Sequence, residues 1–318
     1  MIQDQSLITF DYRNQKFVLS PEKGSTSVRL EFYTTDFKNE EVYLQLSDLI
    51  SSTKDQIIKS FDFLIYPNLS AEKYFGDKNL SYLSKALAQQ QNLNSLNLNL
   101  YCNQIGDVGA SQFAESIAKL NSLTSISINF GRNSIGHLGA QKLAESIKTC
   151  ENLSDLDLNF DENPITDQGV IELSKGICQC KKLTSFKLSF RYMTLTDISV
   201  ALLAESIGKC QNLRFLKIFI PGNINNQARN ITNLSISKFG QSIVQSQNLI
   251  YFHLDISAQN IGENAILGLG RSISQSQSIV EFILDASSEP NLVSNQGFMY
   301  FRKQCLLSKK ILKMLIYL

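Results

Sequence analysis

One unit recurs in this chain at an interval of 30 residues, and no other feature restricts the fold as strongly. Its core is a run of four apolar residues spaced Leu-x-x-Leu-x-Leu-x-Leu. The copies are Leu93-Leu96-Leu98-Leu100, Leu123-Ile126-Ile128-Phe130, Leu153-Leu156-Leu158-Phe160, Leu183-Phe186-Leu188-Phe190 and Leu213-Leu216-Ile218-Ile220. Two more follow at Leu249-Phe252-Leu254-Ile256 and Ile279-Phe282-Leu284-Ala286, and another at Ile311-Met314-Ile316-Leu318. Self-similarity at such a period marks stacked supersecondary units, none of which can bury its apolar side alone. The repeat therefore overrides the length-based expectation of about two globular domains.

Each unit reads in three parts. The alternating Leu/Ile/Phe segment has the two-residue period of a strand. A turn follows, as in Asn103-Gln104-Ile105-Gly106-Asp107 and Asn133-Ser134-Ile135-Gly136-His137. The third part, such as Gly109 to Ile117, places Ala110, Phe113, Ala114 and Ile117 at i, i+3, i+4 and i+7, which is one stripe of a helix. Strands joined by helices give a parallel sheet with helices on one side. The spacing predicts an α/β solenoid, a horseshoe with a parallel concave sheet and outer helices.

These residues resemble leucine-rich repeats of the ribonuclease-inhibitor-like type, over about residues 63–318. The family's closing Asn follows the third strand Leu by three residues, whereas Asn103 follows Leu98 by five, and Asn133 and Asn163 keep the same offset. The longer segment adds a fourth apolar strand position. The resemblance implies a ladder of buried Asn side chains that saturates backbone groups in the turns, interrupted at Met193. The lengthened units and the Asn, Gln and Lys at filler positions are similar to repeat proteins of ciliated protozoa.

Residues 1–62 precede the clear units and read as a β-rich N-terminal cap, with the solenoid over 63–318. Leu7–Tyr12 and Lys16–Leu19 flank a turn and suggest a hairpin; Val28–Phe32 and Val42–Leu46 read as further strands. Residues 63–92 look like a degenerate first unit whose strand signature is blurred. Between Leu213 and Leu249 the interval lengthens to 36 residues, and the added residues fall in a polar loop at 221–230.

Several function classes find no support in these residues. A net charge of +1 does not point to nucleic acid or an anionic membrane, and no apolar run is long enough to span a bilayer. The start of the chain has no apolar core of the kind a secretory signal carries, so the expected compartment is cytoplasmic, with a ciliary or cytoskeletal setting suggested by the protozoan likeness. No phosphate loop, nucleophile elbow or kinase signature occurs, so neither catalysis nor a cofactor is expected. Cys150, Cys180 and Cys210 recur at the repeat interval and are read as small buried side chains; Cys178-Gln179-Cys180 lacks metal-ligand spacing. Of the two histidines, His137 falls in a turn and His253 on a strand.

If the Leu positions face the core, the alternate strand positions face outward. The early strands then present Ser95, Asn97, Asn99, Ser125, Ser127 and Asn129, followed by an acidic row of Asp155, Asp157 and Asp161 that Lys187 and Arg191 are placed to neutralise. Phe215, Lys217, Phe219, Tyr251 and His253 follow, and aromatic and basic side chains grouped on a surface have the composition of an interface hot spot. The expected function is non-catalytic protein–protein recognition through Phe215, Lys217, Phe219, Tyr251 and His253, with Lys187, Arg191, Asp155 and Asp157 beside them. A regulator of enzyme activity is the first alternative, because proteins of similar fold include ribonuclease inhibitors and activators of the small GTPase Ran. The latter typically carry an acidic tail, whereas the segment from Lys309 to Leu318 is basic and apolar. A structural subunit of a large assembly is the second alternative, suggested by the apolar run Met314–Leu318.

Overall fold

The computed structural model describes residues 8–12, 15–22, 25–33, 50, 58–66, 74–222, 231–259, 261–287, 295–306 and 311–317, the first three segments as backbone. The expected strand at Val42–Leu46 and residues 223–230 of the polar loop lie outside them. The chain forms two compact units, Met1–Asn159 and Phe160–Leu318.

The first unit contains β1 (Ile8–Tyr12), β2 (Gln15–Glu22), β3 (Ser25–Tyr33), β4 (Ile58–Tyr66), α1 (Gly76–Leu87), β5 (Ser95–Asn99), α2 (Asp107–Ile117), β6 (Ser125–Asn129), α3 (His137–Ile147) and β7 (Asp155–Asn159). Strands β1, β2 and β3 form an antiparallel meander. Strand β3 then pairs in parallel with β4, and β4 with β5. The terminal strands thus extend the repeat sheet and continue its hydrogen bonding. The second unit contains α4 (Asp167–Ile177), β8 (Ser185–Ser189), α5 (Asp197–Gly208), β9 (Phe215–Phe219), α6 (Asn233–Gln245), β10 (Tyr251–Asp255), α7 (Glu263–Gln275), β11 (Glu281–Asp285), α8 (Asn295–Leu306) and β12 (Lys313–Tyr317). Strands β8 to β12 are parallel and in register along the chain. This is the predicted α/β architecture of repeated strand–helix units in a solenoid.

The alternation places the core residues of the repeat strands. Leu96, Leu98 and the added fourth position Leu100 are buried, as are Leu156, Leu158 and Phe160 in a later copy. The helix stripe Ala110, Phe113, Ala114 and Ile117 closes over them, no more than 1% exposed. Rings stack along the interior at Phe160–Phe190 and Phe252–Phe282, 5.9 and 5.5 Å between centroids. Truncating such a buried Phe to Ala costs about 3–5 kcal/mol. Cys150, Cys180 and Cys210 are buried as the repeat predicts, each thiol facing a carbonyl one helical turn back. Burial pushes Cys150 up to about 11 and Cys210 up to about 12, so both remain inert thiols.

The lengthened strand ends acquire a physical reason in the turns. Cys102, Arg132, Glu162, Tyr192 and Ala258 occupy one position of their copies and all have φ between 54° and 61°. This left-handed residue turns the chain after the fourth apolar position, and the next residue is the closing amide in every case except Tyr192, which Met193 follows. Asn133 accepts from the amides of Asn103 and Ile105 and donates to the carbonyls of Leu100, Phe130 and Gly131. Asn103 accepts from Phe75, and Asn163 donates to Phe160 and Asp161. The interruption at Met193 is a buried apolar residue, and the amide function returns at Gln259, which donates to Ile220 and accepts from Ile231.

A second ladder runs along the helix starts. No helix from α1 to α7 is capped by its own N-cap side chain. In five cases a residue in the first turn of one helix instead caps the next. Asp77 accepts from Gly106, and Asp107 from Gly136 and Gly139. Asp167 accepts from Thr196 and Ser199, Asp197 from Thr232 and Ser235, and Asn233 from Gly262. Four orphan amides at each helix start make this position a natural seat for a carboxylate. A Cβ at Gly139 would stand 2.7 Å from Asp107 Oδ1, so glycine permits the approach. Asp167 and Asp197 are pushed upward by burial, but the hydroxyl and amide bonds outweigh that and hold both below the usual carboxylate range.

Candidate protein-binding surface

The sheet face opposite the helices carries the alternate strand positions, and the register fixes their neighbours. In the second unit Ser185, Phe215, Tyr251, Glu281 and Lys313 form one row. Lys187, Lys217, His253, Ile283 and Leu315 form the next, and Ser189, Phe219, Asp255, Asp285 and Tyr317 the third. The structure therefore brings Phe215, Lys217, Phe219, Tyr251 and His253 together on two adjacent strands, with Lys187 one strand away. Asp155 and Asp157 belong to the first unit, where they pair with Ser125 and Ser127.

Specific contacts hold the cluster. The His253 ring meets Phe219 edge to face, 4.9 Å between centroids. The Arg191 guanidinium lies over the Phe219 ring, 5.1 Å from its centroid, and reaches Asp255 at 3.1 Å. Lys217 Nζ lies 5.3 Å from the centre of Tyr251. Such cation–ring contacts contribute about 0.5–1 kcal/mol at exposed sites and fix a long side chain in one place. Phe215 remains 46% exposed. Burial lowers His253, countered by Asp255, so the ring is held on the neutral side of its ordinary titration.

One expectation is corrected. Arg191 was placed to neutralise the acidic row, but its guanidinium pairs with Asp255 of β10, while its backbone amide donates to Asp161. The reason is reach: a long side chain leaving the turn after β8 crosses the flat ring of Phe219 and finds the carboxylate on the far strand. Asp161 is occupied locally, accepting from Ser189 Oγ at 2.5 Å.

Position 219 departs from its repeat. At the corresponding strand ends Asn99, Asn129, Asp255 and Asp285 each accept from the amide two residues on and so close the turn. A phenyl ring cannot do this, so Phe219 stands where the frame favours a polar acceptor. Ile283, Leu315 and Tyr317 extend the apolar part of the face toward β12, and Leu315 and Tyr317 are exposed. The sequence signal for these last two was only their parity in the final strand. On the helical side, Val108, Leu138, Ile198 and Leu234 share the second position of their helices and are exposed, beside surface ion pairs such as Lys142–Glu145 and Lys238–Glu205. Among the described residues no three His, Cys, Asp or Glu side chains converge as metal ligands would, and no helix is long and apolar enough to cross a membrane.

No protein-family model and no curated protein matches this chain. A solved structure of leiomodin-1, its actin-binding site 2, aligns over 56% of this chain and 91% of its own, with 15% identity and a TM-score of 0.36. At that overlap neither the neighbour's architecture nor its actin binding bears on the present chain.

Proposed function

We propose that this chain is a non-catalytic interaction module of the ribonuclease-inhibitor-like class of leucine-rich repeats, which grips a protein partner on the second unit's sheet face. The observation that carries this reading is the Arg191–Phe219–His253 cluster beside exposed Phe215 and half-buried Tyr251. Rings and guanidinium groups held in place before binding lose little conformational freedom when a partner arrives, which is how hot spots concentrate affinity. The protozoan likeness suggests a cytoplasmic, ciliary or cytoskeletal setting. Affinity capture from native lysate with the wild-type chain and with a Phe215→Ala/Tyr251→Ala variant tests the reading. A protein retained by the first and lost by the second supports it; identical sets from both remove this face as the site.

A second reading, a subunit of a larger assembly, draws on β12. Leu312, Leu315 and Tyr317 are exposed there, and core-side Met314 and Ile316 are only half-buried. Sedimentation separates the two readings, since a monodisperse monomer at high concentration contradicts self-assembly through that strand. A role as regulator of an enzyme is the same gripping function with an enzyme as the partner.

A further inference from the structure

A cleft of about 620 Å³ lies at the N-terminal edge of strands β8 to β11, apart from the five-residue cluster on the face. Its polar lining includes Lys182, Arg214, Asn212, Asn248, Gln247 and Ser278, and it contains no carboxylate. Two rows of the repeat build it. Lys182, Asn212, Asn248 and Ser278 occupy one position of successive copies, and Thr184, Arg214 and Ile250 occupy the position two residues on.

The frame does not require the two cations. In the first unit the same positions are Ser122, Asn152, Thr124 and Ser154, which bond backbone carbonyls of the preceding copy. Asn212 and Asn248 keep that duty, donating to Lys181 and Gln211 at 2.7 and 2.9 Å. Lys182 and Arg214 replace these short side chains by long cationic ones. The backbone of Arg214 is fixed, its amide donating to Thr184 at 2.8 Å and its carbonyl accepting from Ile250 and Tyr251. Its guanidinium forms no ion pair among the described residues. The next residue is the exposed Phe215.

We infer that this cleft receives a phosphoryl group carried on a side chain of the protein partner, which then lays an apolar neighbour on Phe215. A forked guanidinium, an ammonium and the second amide protons of Asn212 and Asn248 match the three oxygens and double charge of a phosphate monoester. The volume exceeds what a lone phosphate fills and suits a modified residue with its flanking chain. This inference rests on the proposed meeting of a partner with the same edge of the second unit, yet its test uses no partner.

The 318-residue chain is titrated at low salt with phenyl phosphate, inorganic phosphate and benzoate, followed by NMR shifts or calorimetry. The expected result is saturable phenyl phosphate binding that weakens with added salt and exceeds benzoate binding by about tenfold. Arg214→Met and Lys182→Met are each expected to lower it about tenfold, since a charge-assisted bond is lost. Both residues are exposed, so folding is retained and is checked by melting temperature. Absence of saturable binding, or binding unchanged in Arg214→Met, overturns the inference. Equal affinity for benzoate makes this a carboxylate site, and equal affinity for inorganic phosphate makes it a site for the free ion; either also overturns it. Loss of partner capture in the Phe215→Ala/Tyr251→Ala variant would stand regardless, so the two failures are distinguishable.

Discussion

The two units present different sheet faces on the same backbone frame. In the first, β5 and β6 show Ser95, Asn97, Asn99, Ser125, Ser127 and Asn129; in the second, β9 and β10 show Phe215, Lys217, Phe219, Tyr251, His253 and Asp255. Core residues and turn residues repeat through both. Asn99 and Asp255 close their turns with the same amide bond although one face is bland and the other aromatic. The contrast teaches that the frame is specified by residues facing inward and by those at strand ends, which leaves the remaining outward positions free to diverge. Where even a strand-end position is given up, as at Phe219, the structural role has yielded to another.

Four experiments would break or sharpen that contrast. The largest effect belongs to the shared frame. Asn133→Ala leaves two buried amides and three carbonyls without their side-chain partner and is expected to lower stability by about 3 kcal/mol or more, read by urea unfolding. A loss below about 1 kcal/mol would mean the ladder is not what holds the turns. Next come the faces themselves. Tyr251→Ala and Phe219→Ala are each expected to weaken partner binding by about thirtyfold, while Asn97→Ala and Ser127→Ala change it less than about twofold, measured by surface plasmon resonance once the partner is in hand. Comparable losses from both faces would erase the distinction. Smaller still is Phe219→Asn, which restores the turn acceptor found at Asn99 and Asn129; stability should stay within about 1 kcal/mol of wild type as the lost ring contacts offset the gained bond.

The smallest effect is the dependence on acid. Thr196, Ser199, Thr232 and Ser235 stand where the first unit has Gly106, Gly109, Gly136 and Gly139, and they bond Asp167 and Asp197. Both carboxylates are lowered in the folded chain, against burial, by these hydroxyl and amide donors. Their stabilisation is therefore full above the unfolded value near pH 4 and is lost as pH falls through the lower folded values. Because both are only half-buried and solvent screens them, each contributes under about 1 kcal/mol. Unfolding of the Asp167→Asn and Asp197→Asn variants at pH 3 and pH 6 checks this: the variants should lose less between the two pH values than wild type does.

The apolar period made strands, helices and buried cysteines legible, because stacking forces each inward position to repeat. Strand β4 was blurred. Phe61 and Phe63 pair with Leu96 and Leu98, 35 residues on, so the copy falls out of phase with the 30-residue interval and carries Phe where the pattern has Leu. The capping ladder was hidden for another reason. Asp107 and Asp167 read as turn residues, since nothing local shows that the next helix start approaches within hydrogen-bond distance. The aromatic and basic grouping on β9 and β10 was readable from strand parity. The reach of Arg191 to Asp255 was not, because it spans 64 residues of sequence and depends on the ring between them. The basic cleft likewise needs two rows from several copies to be seen at once.

The most direct measurement exchanges one face for the other. A variant carrying Phe215→Ser, Lys217→Ser, Phe219→Asn, Tyr251→Ser and His253→Ser gives the second unit the outward residue types of the first. The account predicts that this chain keeps its circular dichroism and cooperative melting while losing partner capture. Capture at wild-type strength by the folded variant would contradict it.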